Sequence, residues 1–137
     1  MSATYPAVPS VTAPTGSLVG TGVVAAALAS GATTIVAAAG HAVGISLDVG
    51  GAPIPVLGFA ALTTLFSLVG LVLAAVLSRA ARRPRSTFIR STVVLTMLSL
   101  MPDVTADAIP ATMALLMLTH LVAAAIVIPA VARRLTA

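Results

Sequence analysis

The sequence predicts an all-α membrane protein, a bundle of four transmembrane helices whose N- and C-termini both lie on the cytoplasmic side. Of its 137 residues, 59% are hydrophobic and only 7% are charged, whereas a soluble domain carries about 25% charged residues. Four apolar runs reach or approach the roughly 20 residues that cross a hydrocarbon core. The charged residues divide by sign between the two ends of these runs, which indicates the number of spans and their orientation.

The first 17 residues predict a disordered, proline-rich tail. They contain Pro6, Pro9 and Pro14 and no charged side chain. Proline removes a backbone donor and disfavours helix at the residue before it. A cleaved signal peptide is not expected, because the sequence lacks a positively charged segment followed by a short apolar run.

Residues 18–137 predict the transmembrane domain. A loop with Asp48 and Pro53 follows the first apolar run, and an arginine-rich loop around Pro84 follows the second. Pro102 and Asp103 are expected to end a short third span. The four spans are predicted at about 18–43, 56–77, 87–101 and 111–132.

All seven basic residues are arginine, and each follows the second or the fourth apolar run. Cytoplasmic loops are enriched in Lys and Arg, so these residues are predicted to anchor the cytoplasmic end. They are Arg79, Arg82, Arg83, Arg85, Arg90, Arg133 and Arg134. The three carboxylates, Asp48, Asp103 and Asp107, are expected in loops at the opposite end. An odd number of spans would separate the arginine clusters, so the pattern favours an even number.

His120 is the ionisable residue expected deepest in the membrane. At about 1.5 Å per helical residue, it lies roughly 13 Å beyond Ala111 and near the midplane. Ionisable groups at that depth are candidates for function by default. Hydroxyl side chains at the same depth in the other spans predict a polar layer across the bundle. They are Ser30, Thr33, Thr34, Thr63, Thr64, Ser67, Thr96 and Ser99.

Two interpretations of this layer stay open. In the first, His120 carries a proton or binds a ligand in a small polar cavity, since its charge can change near neutral pH. In the second, a neutral His120 bonds a threonine or a backbone carbonyl and holds helices together, a contact that contributes about 0.6 kcal/mol on average. The second is favoured, because a proton relay normally has an acidic or second histidine partner and none is expected at that depth.

An external cation site is a weaker hypothesis. His41 is expected near the outer end of the first span, on the same face as Asp48, Asp103 and Asp107. A divalent-metal site needs three or more converging ligands, and this spacing does not assure convergence. The prediction is therefore that the protein holds no metal.

Pairs of small residues four positions apart surround the first span. Such spacing lets helix backbones approach closely. The pairs are Gly16 with Gly20, Ala27 with Gly31, and Gly40 with Gly44. We expect them to serve packing inside the bundle, with homodimerisation as the less favoured use.

No enzyme is predicted. Phosphate-binding loops, nucleophile elbows and metalloprotease motifs are absent from the sequence, and carboxylates confined to outer loops cannot form an acid–base pair within the lipid. With no cysteine, a thiolate metal site is excluded, and no cofactor is expected. Arginines without interleaved aromatic residues do not form a nucleic-acid-binding stripe.

Four segments carry a resemblance to a known family. They are GHAVGISLDVGGAP at 40–53, the arginine-rich turn after the second span, LSLMPDVTAD at 98–107 and THLVAAAIVIPAVARRL at 119–135. Over about residues 18–135 the chain resembles small four-span actinobacterial membrane proteins of unknown function, which tend to place a histidine in the last span. The resemblance implies the four-span topology and brings no activity, substrate or cofactor.

The sequence thus predicts a multi-pass protein of the bacterial plasma membrane whose surroundings are the lipid bilayer. The favoured function is that of a structural or accessory subunit that packs with itself, as a homo-oligomer, or with a larger membrane complex. The alternative is a small transporter or ligand-binding bundle that uses the polar layer around His120. An enzyme that acts on a lipid is a distant third.

Overall fold

The computed structural model describes residues 15–137 as four long helices with a short β-hairpin between the first two. The elements are α1 (Thr15–Ala42), β1 (Asp48–Val49), β2 (Ala52–Pro53), α2 (Val56–Ala80), α3 (Pro84–Val104) and α4 (Pro110–Ala132). All four helices are long and apolar enough to cross a membrane. Most of the tail expected at 1–17 lies outside the described residues, and α1 begins at Thr15.

Helix α3 is longer at both ends than the span expected at 87–101. Pro84 stands in its first turn, where a missing N–H leaves no intrahelical bond unmade. Helix α2 continues through Arg79, so the arginine-rich connection narrows to residues 81–83. At its other end α3 passes through Pro102 and ends at Val104.

The helices form a bundle in which neighbours in sequence also pack together. Helix α1 packs against α2 and α4, and α3 packs against α4 and, over a smaller area, α2. The Arg85 N–H donates to the Thr136 carbonyl at 3.2 Å, which joins the start of α3 to the segment after α4. The Gly50 N–H donates to the Asp107 carbonyl at 2.9 Å, which joins the connections at the opposite side. We call these two sides the arginine end and the hairpin end.

Two apolar clusters fill the bundle, one toward each end. The cluster at the arginine end centres on Phe88, which is fully buried among Leu18, Leu71, Val131 and Leu135. The cluster at the hairpin end contains Ala37, Leu47, Phe59, Leu115 and Leu116. Within α1 and within α2, hydroxyl-bearing residues lie between the residues of one cluster and those of the other.

Glycine lets α1 approach its neighbours at two positions. A Cβ on Gly40 would lie 2.7 Å from Leu115 Cδ2, and one on Gly22 would overlap the side chain of Leu71. Gly20 and Gly31, in contrast, face open space. Gly40 belongs to one of the expected pairs of small residues and makes a close contact. Gly22 makes a close contact too, but it was in none of those pairs.

The hairpin was not expected in a region predicted as a plain loop. Gly50 and Gly51 connect the strands with φ of +59° and +78°, and this left-handed region is open to glycine at little cost. Two consecutive residues of this kind form the tight turn that suits a two-residue hairpin. The Ile54 N–H donates to the Leu47 carbonyl at 2.9 Å and extends the hairpin. The Gly-Gly pair was the signal in the sequence.

Large apolar side chains cover the outer faces of α2 and α3. Phe66 and Val72 on α2 are 65% and 64% exposed, and Leu98 and Met101 on α3 are 59% and 61% exposed. Water-soluble monomers rarely expose continuous apolar surface on this scale. The surface fits a bundle surrounded by lipid, as the length and composition of its helices also indicate.

Candidate functional site

An acidic residue and a histidine meet between α3 and α4. The Oδ2 atom of Asp103 lies 2.8 Å from the Nδ1 atom of His120. Asp103 is only 7% exposed, while the His120 side chain is about one third exposed. A buried carboxylate is costly unless it is paired, so His120 compensates part of the cost of burying Asp103.

The Nδ1 atom of His120 serves two oxygens. It lies 3.0 Å from the Leu116 carbonyl, one turn back along α4, in hydrogen-bonding geometry. The Asp103 oxygen lies closer but out of line with the Nδ1–H, and it has no aligned hydrogen-bond partner among residues 15–137. The contact with Asp103 is an ion pair when the imidazole is protonated.

The expectation that His120 has no acidic partner was wrong. Asp103 was placed in an outer loop because Pro102 was taken to end the third span, but α3 continues through both residues. Helical side chains lean toward the N-terminus of their own helix, and α3 and α4 run in opposite directions. The two side chains therefore lean toward each other.

A signal for Asp103 was present in the sequence of α3. Polar residues recur along it at Thr92, Thr96, Ser99 and Asp103, and spacings of four, three and four keep them on one helix face. Extending that face past Pro102 would have placed Asp103 in the helix.

The hydroxyl groups of α1 and α2 bond to one another. Ser30 Oγ and Thr64 Oγ1 share a hydrogen bond of 2.7 Å, and Thr33 Oγ1 and Thr63 Oγ1 share one of 2.9 Å. The Thr34 hydroxyl donates to the Ser30 carbonyl at 2.7 Å, within its own helix. Two adjacent side-chain bonds thus link α1 to α2.

The candidate polar residues therefore stand in separate groups. Thr96 donates to the Thr92 carbonyl of its own helix at 2.8 Å, and His120 turns to Asp103. Within residues 15–137, no hydrogen bond joins His120 to any of the threonines expected in the same layer. One group links α1 to α2, and the other links α3 to α4.

Two open clefts lie on the surface of the bundle. One, of about 310 Å³, runs between α3 and α4, and its lining is almost wholly apolar. Its lining residues are Val93, Thr96, Met97, Leu121, Ala124, Ala125, Ile128 and Pro129. The other, of about 370 Å³, lies at the arginine end and is lined by Thr21, Ala130, Arg133 and Arg134. His120 lines neither of them.

The residues of the hypothetical external cation site do not form one group. Ser46 Oγ donates to Asp48 Oδ2 at 2.7 Å, and Asp103 is engaged with His120. His41 is exposed at the end of α1. In the described part of the chain, no cluster of three histidine or acidic residues could hold a metal ion.

All seven arginines have exposed side chains. Arg79 closes α2, Arg82 and Arg83 form the turn that follows, and Arg85 and Arg90 lie in the first turns of α3. Arg133 and Arg134 follow α4, beside the backbone bond from Arg85 to Thr136. The structure thus gathers the predicted anchor residues at one end of the bundle.

Four helices that are long and apolar enough to cross a membrane indicate a multi-pass membrane protein. The chain belongs to a family of unknown function, DUF6069, whose model matches residues 13–137. Comparisons with curated proteins and with solved structures found no match. The family match confirms the expected resemblance to an uncharacterised domain.

Proposed function

We propose that this chain is a structural or accessory subunit of the bacterial plasma membrane, from an actinobacterial source, which packs with itself or with a larger membrane complex and catalyses no reaction. The observation that carries the proposal is that polar side chains inside the bundle bond to neighbouring helices. Ser30, Thr33, Thr63 and Thr64 are occupied in bonds between α1 and α2.

The polar pair of α3 and α4 supports the same function. Hydrogen bonds between membrane helices contribute modestly but specifically to association, and a pair of ionisable residues specifies register more strictly than apolar contacts do. With His120 held by Asp103 and the Leu116 carbonyl, its Nδ1 atom is committed to the protein. The exposed apolar faces of α2 and α3 offer surface for lipid or for a neighbouring subunit.

Reconstitution into sealed vesicles tests this function. We expect proton and monovalent-cation flux equal to that of protein-free vesicles, and crosslinking in native membranes to give a species larger than one chain. His120→Ala should lower the unfolding temperature and leave flux at the background level. Flux that is present in the unmodified protein and lost in a folded His120→Ala variant would overturn the proposal.

A small transporter remains the second candidate because of one feature of the pair. The partly exposed His120 lies 2.8 Å from the buried carboxylate of Asp103, and ionisable residues paired within membrane helices are typical of proton relays. On this hypothesis Asp103→Asn, which removes the charge and keeps the shape, abolishes flux without lowering the unfolding temperature. Thr63→Val is the matched control, since it alters the other polar group and should leave flux intact.

A further inference from the structure

The arginine end lacks side-chain carboxylates of its own. The chain has three acidic residues in all: Asp48 and Asp107 lie at the hairpin end, and Asp103 is engaged with His120. Within residues 15–137 the pair of Asp103 and His120 is the only side-chain ion pair. No guanidinium group of the described residues lies within 4 Å of a carboxylate, so these groups can bind anions from outside the chain.

The backbone at Arg133 and Arg134 is held by hydrogen bonds and by a buried neighbour. The backbone N–H of Arg133 donates to the Pro129 carbonyl at 3.2 Å, and that of Arg134 donates to the Val131 carbonyl at 3.0 Å. The backbone therefore continues in a helical turn after α4. Leu135, the next residue, is buried in the apolar cluster at this end. The backbone that carries the two guanidinium groups is thus fixed between a helix and a buried leucine.

The two arginines line the cleft of about 370 Å³ between the first turns of α1 and the end of α4. Thr21 adds a hydroxyl group to the lining, and Ala130 adds an apolar side chain. Guanidinium groups match phosphate oxygens in charge and in hydrogen-bonding geometry. The cleft therefore combines the donors that a phosphate anion needs with space for it.

The surface next to the cleft suits an acyl chain. Val24 and Leu28 lie one and two turns beyond Thr21 on the same face of α1, and both are exposed. A lipid whose phosphate occupies the cleft would lay a chain along these side chains. Basic pockets between transmembrane helices at the cytoplasmic side are typical sites for anionic lipid headgroups.

We propose that the cleft formed by Thr21, Ala130, Arg133 and Arg134 binds the phosphate group of an anionic glycerophospholipid. The two guanidinium groups bind the phosphate oxygens, and the apolar face of α1 holds an acyl chain. The other arginines line neither of the two clefts described above, and they attract anionic lipid diffusely. The site is independent of the subunit function proposed above.

Native mass spectrometry of the detergent-solubilised full chain, titrated with phosphatidylglycerol, tests the site. The double variant Arg133→Ala/Arg134→Ala should weaken the first bound lipid by about 30-fold, which corresponds to about 1 kcal/mol for each arginine. The control Arg79→Ala/Arg82→Ala removes the same charge from the same end and should weaken it by less than about threefold, because neither residue lines the cleft and salt screens exposed charges. Equal losses in both variants would show diffuse attraction only and overturn the site.

Further measurements identify the ligand, and two single variants replace the double variant if it does not fold. Zwitterionic phosphatidylcholine should bind more weakly than phosphatidylglycerol, and inorganic phosphate at millimolar concentration should not displace the lipid. Displacement by phosphate, or equal binding of the two lipids, would overturn the assignment to an anionic lipid. If the double variant does not fold, Thr21→Val and Arg133→Gln take its place, and unchanged lipid affinity in both would contradict the proposal.

Discussion

The Nδ1 atom of His120, midway along α4, lies 2.8 Å from the Oδ2 atom of Asp103, in the last turn of α3. The residues come from consecutive antiparallel helices, and the contact fixes how far one helix is displaced along the other. A second polar link, between the hydroxyl groups of α1 and α2, does the same for the first helix pair. Each helical hairpin thus carries its own polar link.

The hydroxyl links predict a stability difference between matched threonine variants. Thr63→Val/Thr64→Val removes both bonds between α1 and α2 and should lower the free energy of unfolding by about 1 kcal/mol, since such bonds average about 0.6 kcal/mol each. The control Thr34→Val/Thr96→Val removes hydroxyls that bond only within their own helices and should cost less. Unfolding in mild detergent measures both, and equal losses would contradict the assigned role.

The close approach of α1 to α2 predicts a strong effect of one added methyl group. Gly22→Ala should destabilise the bundle by about 1–3 kcal/mol, the usual cost of overpacking, because the new Cβ would overlap Leu71. Gly20→Ala is the control, since its Cβ would meet no atom within 4 Å. Leu71→Ala should cost less in the Gly22→Ala protein than in the unmodified protein, because there it also removes the overlap. A Gly22→Ala protein as stable as the control would show that this contact is not tight.

The turn of the hairpin predicts a residue-specific tolerance at Gly51. With φ of +78°, Gly51→Ala should cost about 1–2 kcal/mol, the penalty of a left-handed conformation for an L-residue. Gly51→Asn should cost less, because asparagine visits this region more readily. Amide hydrogen exchange of Ile54, whose N–H bonds the Leu47 carbonyl, reports the loosening. Equal exchange rates in the two variants would contradict the turn geometry.

The charge distribution predicts the orientation of the bundle in the membrane. Because the chain has no cysteine, single introduced cysteines report topology without background labelling. Ala52→Cys, in the exposed hairpin, should react with a membrane-impermeant maleimide in intact cells. Ala80→Cys, at the exposed arginine end, should react only after lysis. The reverse pattern would place the arginines outside and contradict the positive-inside assignment.

The helical content of the fold could be predicted from composition and charge, because long apolar runs without charges have few stable alternatives in lipid. The ends of α3 could not be predicted in this way. Pro84 and Pro102 were both expected to lie outside the helix, yet proline suits a first turn and is tolerated near the end of a membrane helix when neighbours satisfy the freed groups. The sequence alone does not say which of these conditions each proline meets.

The candidate site could be predicted only in part. His120 and the threonines were identified by depth, but depth does not determine which helices are neighbours or which face each residue occupies. The partner of His120 was missed because Asp103 follows a proline and was assigned to a loop. The polar face of α3, from Thr92 through Thr96 to Asp103, shows that helical periodicity was the better guide at this position.

A double-mutant cycle on Asp103 and His120 tests most directly whether the pair links α3 to α4. The free energy of unfolding in mild detergent is measured for Asp103→Ala, His120→Ala, the double variant and the unmodified protein. If the pair is a structural link, the cycle gives a favourable coupling of about 0.6–1.7 kcal/mol, the range of such contacts in membrane helices. Additive effects, with a coupling near zero, would contradict it and leave the two residues without a shared structural role.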